Sequence, residues 1–275
     1  MKKALAIIMA AAMAMTALTG CSGSKSKLEA IKEAGVIKMA TSPDFAPMEF
    51  ENIKADGTKE YVGSDIELGK YIAEKLGVKL QIEAMDFTAV QAAVTTGTVD
   101  MAISGFAKTA EREESMELSI GYNTDSDDVG QGILISKDKA AELTTAESFA
   151  GLKVGAQNGS LQHNLVKEQL PADVQVELIG SLNDGVLMLS TGKIDALAVS
   201  GENGVLYAGN YDNIVMSDFF FDYTSEGNVV ACQKGQTELM EAINNIIKEV
   251  NEQKLYTQWT DEATALAESL GIDVE

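Results

Sequence analysis

Beyond residue 35 the apolar positions of the chain change rhythm repeatedly. Residues 36–39 are a short apolar run that stops at Ser42-Pro43, a turn signal. Ile66, Leu68, Ile72 and Leu76 then recur at mostly helical spacing, and Gly77 ends the stretch, which predicts a helix over 65–76. Val78-Lys79-Leu80-Gln81-Ile82 alternates with period two and predicts a strand. A helix over 88–96 stopped by Gly97, a strand over 101–104 and a helix over 109–118 follow. The last of these opens on a Thr cap and acidic residues, which suit the positive end of a helix. The pattern begins anew after an acidic loop at 123–128. Strands are predicted over 133–135, 152–155, 174–179 and 196–199, with helices over 160–169, 181–190 and 202–208. Val229-Val230-Ala231-Cys232 reads as another strand with Cys232 as a buried small hydrophobe. Leu239, Ile243, Ile246 and Ile247 share one face of a helix over 236–250. Strands separated by single helices imply parallel β-α-β units, hence an α/β fold.

The two halves share a phrase. Thr95-Thr96-Gly97-Thr98-Val99-Asp100-Met101-Ala102 and Ser190-Thr191-Gly192-Lys193-Ile194-Asp195-Ala196-Leu197 each end a helix on Gly and enter an apolar strand through Asp. This suggests two similarly built lobes, and 275 residues allow one large domain or two of moderate size.

The first twenty residues stand apart from this pattern. Lys2 and Lys3 precede an apolar run over 4–18, followed by Thr19 and Gly20. These are the parts of a secretory signal, and the run is shorter than the ~20 residues a permanent spanning helix needs. Leu18-Thr19-Gly20-Cys21 closely resembles the lipobox of bacterial lipoproteins, in which the freed cysteine is acylated. Residues 1–20 are therefore expected to be a signal peptide and Cys21 the lipidated first mature residue. The polar run Ser22-Gly23-Ser24-Lys25-Ser26 reads as part of a lipid-anchored linker over 21–26.

Charge adds exclusions. With 21 Lys+Arg against 42 Asp+Glu the formal charge is -21, and loss of Lys2 and Lys3 takes it to -23. Nucleic acid is disfavoured, because phosphate backbones are bound through basic stripes. The folded surface is likewise disfavoured on anionic lipid, so acyl chains would have to supply any membrane affinity. With only two Cys and one His, neither a disulfide framework nor a Cys-His metal site is available, and no metal or cofactor is expected. The acidic loop lacks the Gly and Glu that an EF-hand places at its sixth and twelfth positions. Ser160 and His163 lie a helical turn apart but without a nucleophile elbow around the serine, so catalysis is not expected there.

The clearest constellation is Ser104-Gly105-Phe106-Ala107-Lys108-Thr109-Ala110-Glu111-Arg112. A strand end, a short loop and a helix start present free N–H groups, and Arg112 adds a two-pronged donor suited to a carboxylate. The alternative pairs Arg112 with Glu111, Glu113 or Glu114 on the helix surface.

The chain here resembles the polar-amino-acid family of bacterial extracellular solute-binding proteins, the capture subunits of ABC importers. The resemblance runs from about residue 27 to 270 and rests on three phrases. Gly63-Ser64-Asp65-Ile66-Glu67-Leu68 is close to the family's Gly-Phe-Asp-x-Asp-Leu, the segment from Ser104 to Arg112 to its Ser-x-x-x-x-Thr-x-x-Arg, and Val154-Gly155-Ala156-Gln157-Asn158-Gly159-Ser160 to its second-lobe turn. The resemblance implies a two-lobed periplasmic-binding-protein type II fold with two crossover hinge segments. Lobe one would be 27–122 plus 227–275 and lobe two 123–226. Arg112 would grip a ligand carboxylate, helped by Ser104, Gly105, Ala107 and Thr109, with Gly159 and Ser160 completing the cradle. Phe45 and Phe87 match rings that sandwich the ligand side chain, core packing being the alternative for each. Ser200 stands where the family carries the acid that pairs with the ligand ammonium, leaving Glu202 or Asp44 to supply that charge, with Glu202 favoured. The resemblance implies a monomeric, extracytoplasmic binding protein for a small zwitterion, an amino acid above all, working with permease subunits. The alternatives are a nucleoside or sugar as ligand, or a secreted enzyme like the cyclohexadienyl dehydratases of the same architecture.

Overall fold

The computed structural model describes residues 25–123 and 130–270. The expected signal peptide, Cys21 and most of the acidic loop lie outside the described residues. The chain starts with helix α1 (Lys27–Ala34), closed by a Ser26–Glu29 capping box. Strand β1 (Val36–Thr41) leads to an antiparallel meander of β2 (Asp44–Phe45), β3 (Glu49–Ile53) and β4 (Lys59–Val62). Then come α2 (Ser64–Leu76), β5 (Lys79–Ala84), α3 (Phe87–Thr95), β6 (Met101–Ala102), α4 (Ala110–Ser115) and β7 (Met116–Leu118). The second half has β8 (Gln131–Ser136), β9 (Lys153–Gln157), α5 (Leu161–Gln169), β10 (Gln175–Ile179), α6 (Leu182–Ser190), β11 (Ala196–Ser200), α7 (Gly201–Asn210) and β12 (Ile214–Phe220). The chain finishes with β13 (Ala231–Gln233), α8 (Thr237–Glu252) and α9 (Leu255–Ser269).

Two five-stranded sheets result, in the orders β5-β1-β6-β13-β7 and β10-β9-β11-β8-β12. Three strands of each are parallel and joined through helices, as the sequence predicts. The remaining two join through antiparallel pairings, because one strand in each sheet, β13 or β8, runs against the rest, which the sequence pattern does not predict. The reason is topological: β8 and β13 enter their sheets after the chain has crossed from the other lobe, so they run against the β-α-β units. A second departure concerns 109–118. The helix stops at Ser115, and Met116–Leu118 pairs with β13. A short run whose pattern fits either structure follows the strand partner that tertiary packing supplies. The meander, β12 and α9 were not predicted from the sequence at all.

Each sheet is covered on both faces, as parallel sheets require. In lobe one, α2 and α8 bury Ile66, Ile72, Ile243 and Ile247 on one face, while α3 buries Val90 and Val94 on the other. In lobe two, α5 contributes Leu165 and Val166, and α6 contributes Val186 and Leu189 from the opposite side.

The repeated phrase has a structural meaning. Lys38 N–H donates to Asp100 Oδ2 at 2.7 Å, and Lys153 N–H donates to Asp195 Oδ2 at 2.8 Å. In return Asp100 N–H reaches Lys38 O and Asp195 N–H reaches Lys153 O. Gly97 and Gly192 end the preceding helices at φ 71 and 70. The same aspartate thus clamps the entry of the third parallel strand to that of the first in both lobes.

Two passes of chain connect the lobes, one from β7 to β8 and one from β12 to β13. They pair where they meet: Tyr122 N–H donates to Asn228 O at 2.8 Å and Asn228 N–H to Tyr122 O at 3.0 Å. Asp100 is buried and also pairs with Lys27 at 2.6 Å, whereas Asp195 is exposed. Asp100→Ala should therefore lower the unfolding free energy by about 1.5–3 kcal/mol, the range for hydrogen bonds to a charged group, and Asp195→Ala by less. Urea denaturation of the two variants checks the order, and equal losses would contradict it.

Candidate functional site

The parallel strands of both sheets point their C-terminal ends at the space between the lobes, where ligands of open α/β sheets bind. Ser42 follows β1, Ser104 follows β6, Gln157 ends β9 and Ser200 ends β11, and all four line one cavity. Its volume is about 80 Å³, room for roughly five to eight water molecules at 10–15 Å³ each. That suits a molecule of amino-acid size and excludes an oligomer. A wider groove of about 840 Å³ lies on the other side of Ser42 and Asp44, which line both spaces. The wider groove is open and lacks Arg112, so the smaller cavity is the candidate site.

Arg112 lies in the first turn of α4 and is only 5% exposed. Its Nη1 donates to Ala107 O at 2.7 Å and its Nη2 to Gly159 O at 3.0 Å. The guanidinium carbon sits 4.8 Å from the ring centre of Phe106 and 5.5 Å from that of Phe87. Among the described residues it belongs to no ion pair, and Glu113 turns to Lys108 instead. The surface pairing with neighbouring acids is therefore not what the structure holds. Burial lowers its pKa to about 10 against a counter-pull from Glu111, which leaves it cationic at neutral pH. A desolvated cation facing a cavity without an acidic partner favours an anion there.

Asp44, Phe45, Phe87, Ser104, Gly105, Ala107, Ser160, Ser200 and Glu202 also line the cavity. Phe45 stands against Gly105, where a Cβ would come within 2.9 Å of its ring at a φ of 56. Phe87 packs on Phe106 at 5.2 Å and belongs to the lobe-one core, so it serves core and cavity at once. Ser160 and Ser200 accept the N–H of His163 and of Asn203 as helix caps.

Thr109 and Gly159 are not among the cavity-lining residues. Thr109 caps α4 by accepting the Arg112 N–H, and Gly159 offers its carbonyl to the Arg112 side chain. Two expected ligand donors are engaged inside the protein. Gly105 N–H donates to Asp65 Oδ2 at 2.8 Å, and Ser104 Oγ donates to Glu49 Oε1 at 2.8 Å. Asp44 also has protein partners: Ser42 Oγ, Leu182 N–H and Gln157 Nε2 all donate to its carboxylate.

Glu49 lines the cavity at 1% exposure, and sequence reasoning missed it. The signal was available, since Phe45-Ala46-Pro47-Met48-Glu49-Phe50 sets one acid in an otherwise apolar run. Asp65, at the start of α2, is fully buried beneath it. Tyr256 and Tyr122 donate to Asp65 at 2.6 and 3.0 Å, besides the Gly105 N–H. Among the described residues no donor reaches Glu49 Oε2, and the group it faces is the Asp65 carboxylate. Two ionised carboxylates cannot share a buried site, so the better-donated Asp65 holds the charge and Glu49 the proton. Burial first, and then the Asp65 charge, push the Glu49 pKa well above its usual 4.5.

The profile of the bacterial extracellular solute-binding proteins, family 3, matches residues 37–262. The arginine-binding extracellular protein ArtP of Bacillus subtilis is 28% identical over 267 residues, covering 94% of this chain and 98% of that protein. A probable histidine-binding protein of Campylobacter jejuni is 27% identical over 245 residues, covering 87% and 90%. The structure of an amino acid ABC transporter substrate-binding protein from Streptococcus pneumoniae, bound to L-arginine, superimposes with a TM-score of 0.79 at 31% identity. That match covers 87% of this chain and 98% of the other.

The buried acid pair has a consequence for stability. In the unfolded chain Glu49 ionises above about pH 4.5, whereas in the folded protein it keeps its proton. Its contribution is fully present below that pH and is lost as pH rises toward the folded pKa, by up to about 1.4 kcal/mol per unit. Glu49→Gln removes this component. Urea unfolding at pH 5 and pH 7 should show the variant gaining on the wild type as pH rises, and a constant difference would place the proton elsewhere.

Proposed function

Because the chain belongs to family 3 of the bacterial extracellular solute-binding proteins, we propose that it captures a free amino acid between its lobes and delivers it to the permease of an ABC importer. The observation that carries this reading is Arg112, a buried guanidinium without an acidic partner among the described residues, facing a cavity of amino-acid size. Its remaining N–H groups bind the ligand α-carboxylate in the planar two-pronged manner that arginine provides. Phe45 and Phe87 hold the ligand side chain between them. Glu202, in the first turn of α7 beside Ser200, lines the cavity and is the acid that receives the ligand ammonium in this reading.

Lobe one comprises 27–122 and 227–275 and lobe two 123–226, which sets the boundaries at the Tyr122–Asn228 pairing. The lobes close by a hinge motion about these two passes. One chain supplies both walls of the cavity, which supports a monomeric working unit. The family works outside the cytoplasm, and we extend this to a lipid anchor on Cys21, supported by the Leu18-Thr19-Gly20-Cys21 phrase. Binding without turnover is part of the proposal.

Thermal unfolding against a panel of amino acids, nucleosides and sugars tests the reading. A cognate amino acid at about 100 times its Kd should stabilise the protein by ~2.7 kcal/mol. Arg112→Ala should abolish that shift while leaving the unliganded protein folded. A shift from nucleosides or sugars alone would overturn the amino-acid reading, and chemical turnover of a bound compound would favour the dehydratase-like one. For the anchor, Cys21→Ser should move the protein from the membrane fraction to the soluble fraction of expressing cells, and unchanged membrane association would refute lipidation at Cys21.

A further inference from the structure

A helix leaves several N–H groups unsatisfied at its first turn, and a side chain at the cap position usually takes one of them. Ser26, Asp86, Thr109, Ser160 and Ser200 each do so for the helix that they precede. Helices α2, α8 and α9 have no side-chain cap, and neither does α6, whose cap residue, Ser181, accepts no such bond. For α6 the missing acceptor comes from the other lobe. Leu182 N–H, the first of α6, donates to Asp44 Oδ2 at 2.9 Å across the cleft.

The cap is part of a wider clasp on the segment between β1 and β3. Gln157 Nε2, at the end of β9, reaches the same Oδ2 at 3.3 Å. Ser42 Oγ holds Oδ1 at 2.9 Å from within lobe one. From α7, Tyr207 Oη donates to Asp44 O at 3.3 Å and Asn203 Nδ2 to Ala46 O at 2.9 Å. Leu206, also of α7, packs with Ala46 and Phe50 in one small apolar cluster. Separation of the lobes would break the bonds of Leu182, Gln157 and Tyr207 to Asp44 together with the α7 contacts to Ala46 and Phe50. Opening exposes the α6 terminus and returns the carboxylate to water.

We propose that Asp44 is a closure latch, a carboxylate of lobe one that caps α6 of lobe two and so holds the cleft shut through contacts of the protein's own. This rests on the reading of the chain as a two-lobed solute-binding protein. It assigns Asp44 a role other than pairing with the ligand ammonium, and it makes the closed form a populated state before any ligand arrives. The expected cost is a slower release of ligand and the expected benefit a smaller closure penalty on binding.

Small-angle scattering of the unliganded protein tests the latch without knowledge of the ligand. The wild-type curve should fit the closed arrangement, and Asp44→Ala should shift the curve to a larger radius of gyration. Asp44→Asn keeps an oxygen acceptor of the same shape and should fall between the two, which guards against a variant that merely misfolds. Circular dichroism on the same samples identifies misfolding directly. Superimposable wild-type and Asp44→Ala curves would overturn the proposal, as would a wild-type curve that fits only an open cleft. Failure of the solute-binding reading itself would look different, as a ligand panel with no thermal shift and scattering still dependent on Asp44.

Discussion

The carboxyl pair of Glu49 and Asp65 joins five parts of lobe one through hydrogen bonds that have no solvent to fall back on. Glu49 belongs to the meander, Asp65 to the start of α2, Ser104 and Gly105 to the cavity floor, Tyr122 to the first crossing segment and Tyr256 to the last helix. Ser64 adds a bond to Tyr256, and the rings of Tyr122 and Tyr256 meet at 4.9 Å with a tilt of 52°. The approach is close enough that Gly63 has no room for a Cβ, which would strike the Met48 carbonyl. Ser64 and Asp65 N–H groups bond to the carbonyls of Pro47 and Met48, which fixes the meander to the helix start. A shared proton makes the pair one charge instead of two, and three donors to Asp65 make that single charge tolerable in a buried site.

Position follows from this pair for the groups around it. The Ser104–Gly105 turn is held from below, so it meets the cavity with fixed backbone and not as a mobile loop. Phe45 then lies against Gly105, and Arg112 reaches back to Ala107 O within the same segment. Because Tyr122 is tied to Asp65 and paired with Asn228, the hinge starts from the same buried point as the cavity floor. In the proposed hinge motion this buried point would be the pivot, and the far wall, carrying Gln157, Ser160 and Glu202, the part that moves.

Arg112 shows why the cleft needs both lobes. In lobe one alone its guanidinium has a single carbonyl and two aromatic faces; the second carbonyl, of Gly159, arrives with lobe two. Carbonyls satisfy donors without neutralising charge, so the guanidinium stays a cation at this position with the second carbonyl in place. The formal charge of -21 thus describes the surface and says little of this one desolvated position.

Much of the architecture was legible in the residues. Helical and alternating apolar periods located most of the helices and the parallel strands, because those elements bury one face each and the burial period is written into the chain. The repeated Gly-x-x-Asp entry marked two similarly built lobes because the helix stop and the strand entry are local features written in adjacent residues, although the strand that each Asp clamps lies 62 or 42 residues away. Arg112 and the aromatic pair were visible as residue types in a phrase. What the sequence could not decide was every matter of partnership across long separations: the antiparallel strands contributed after each crossing, the strand at Met116–Leu118, the acid pair that takes the donors of Ser104 and Gly105, and the carboxylate of Asp44 that turns to the other lobe. These depend on groups 40 to 138 residues apart being brought together. Local propensity carries no term for that, and only the packed structure determines which buried polar groups satisfy one another.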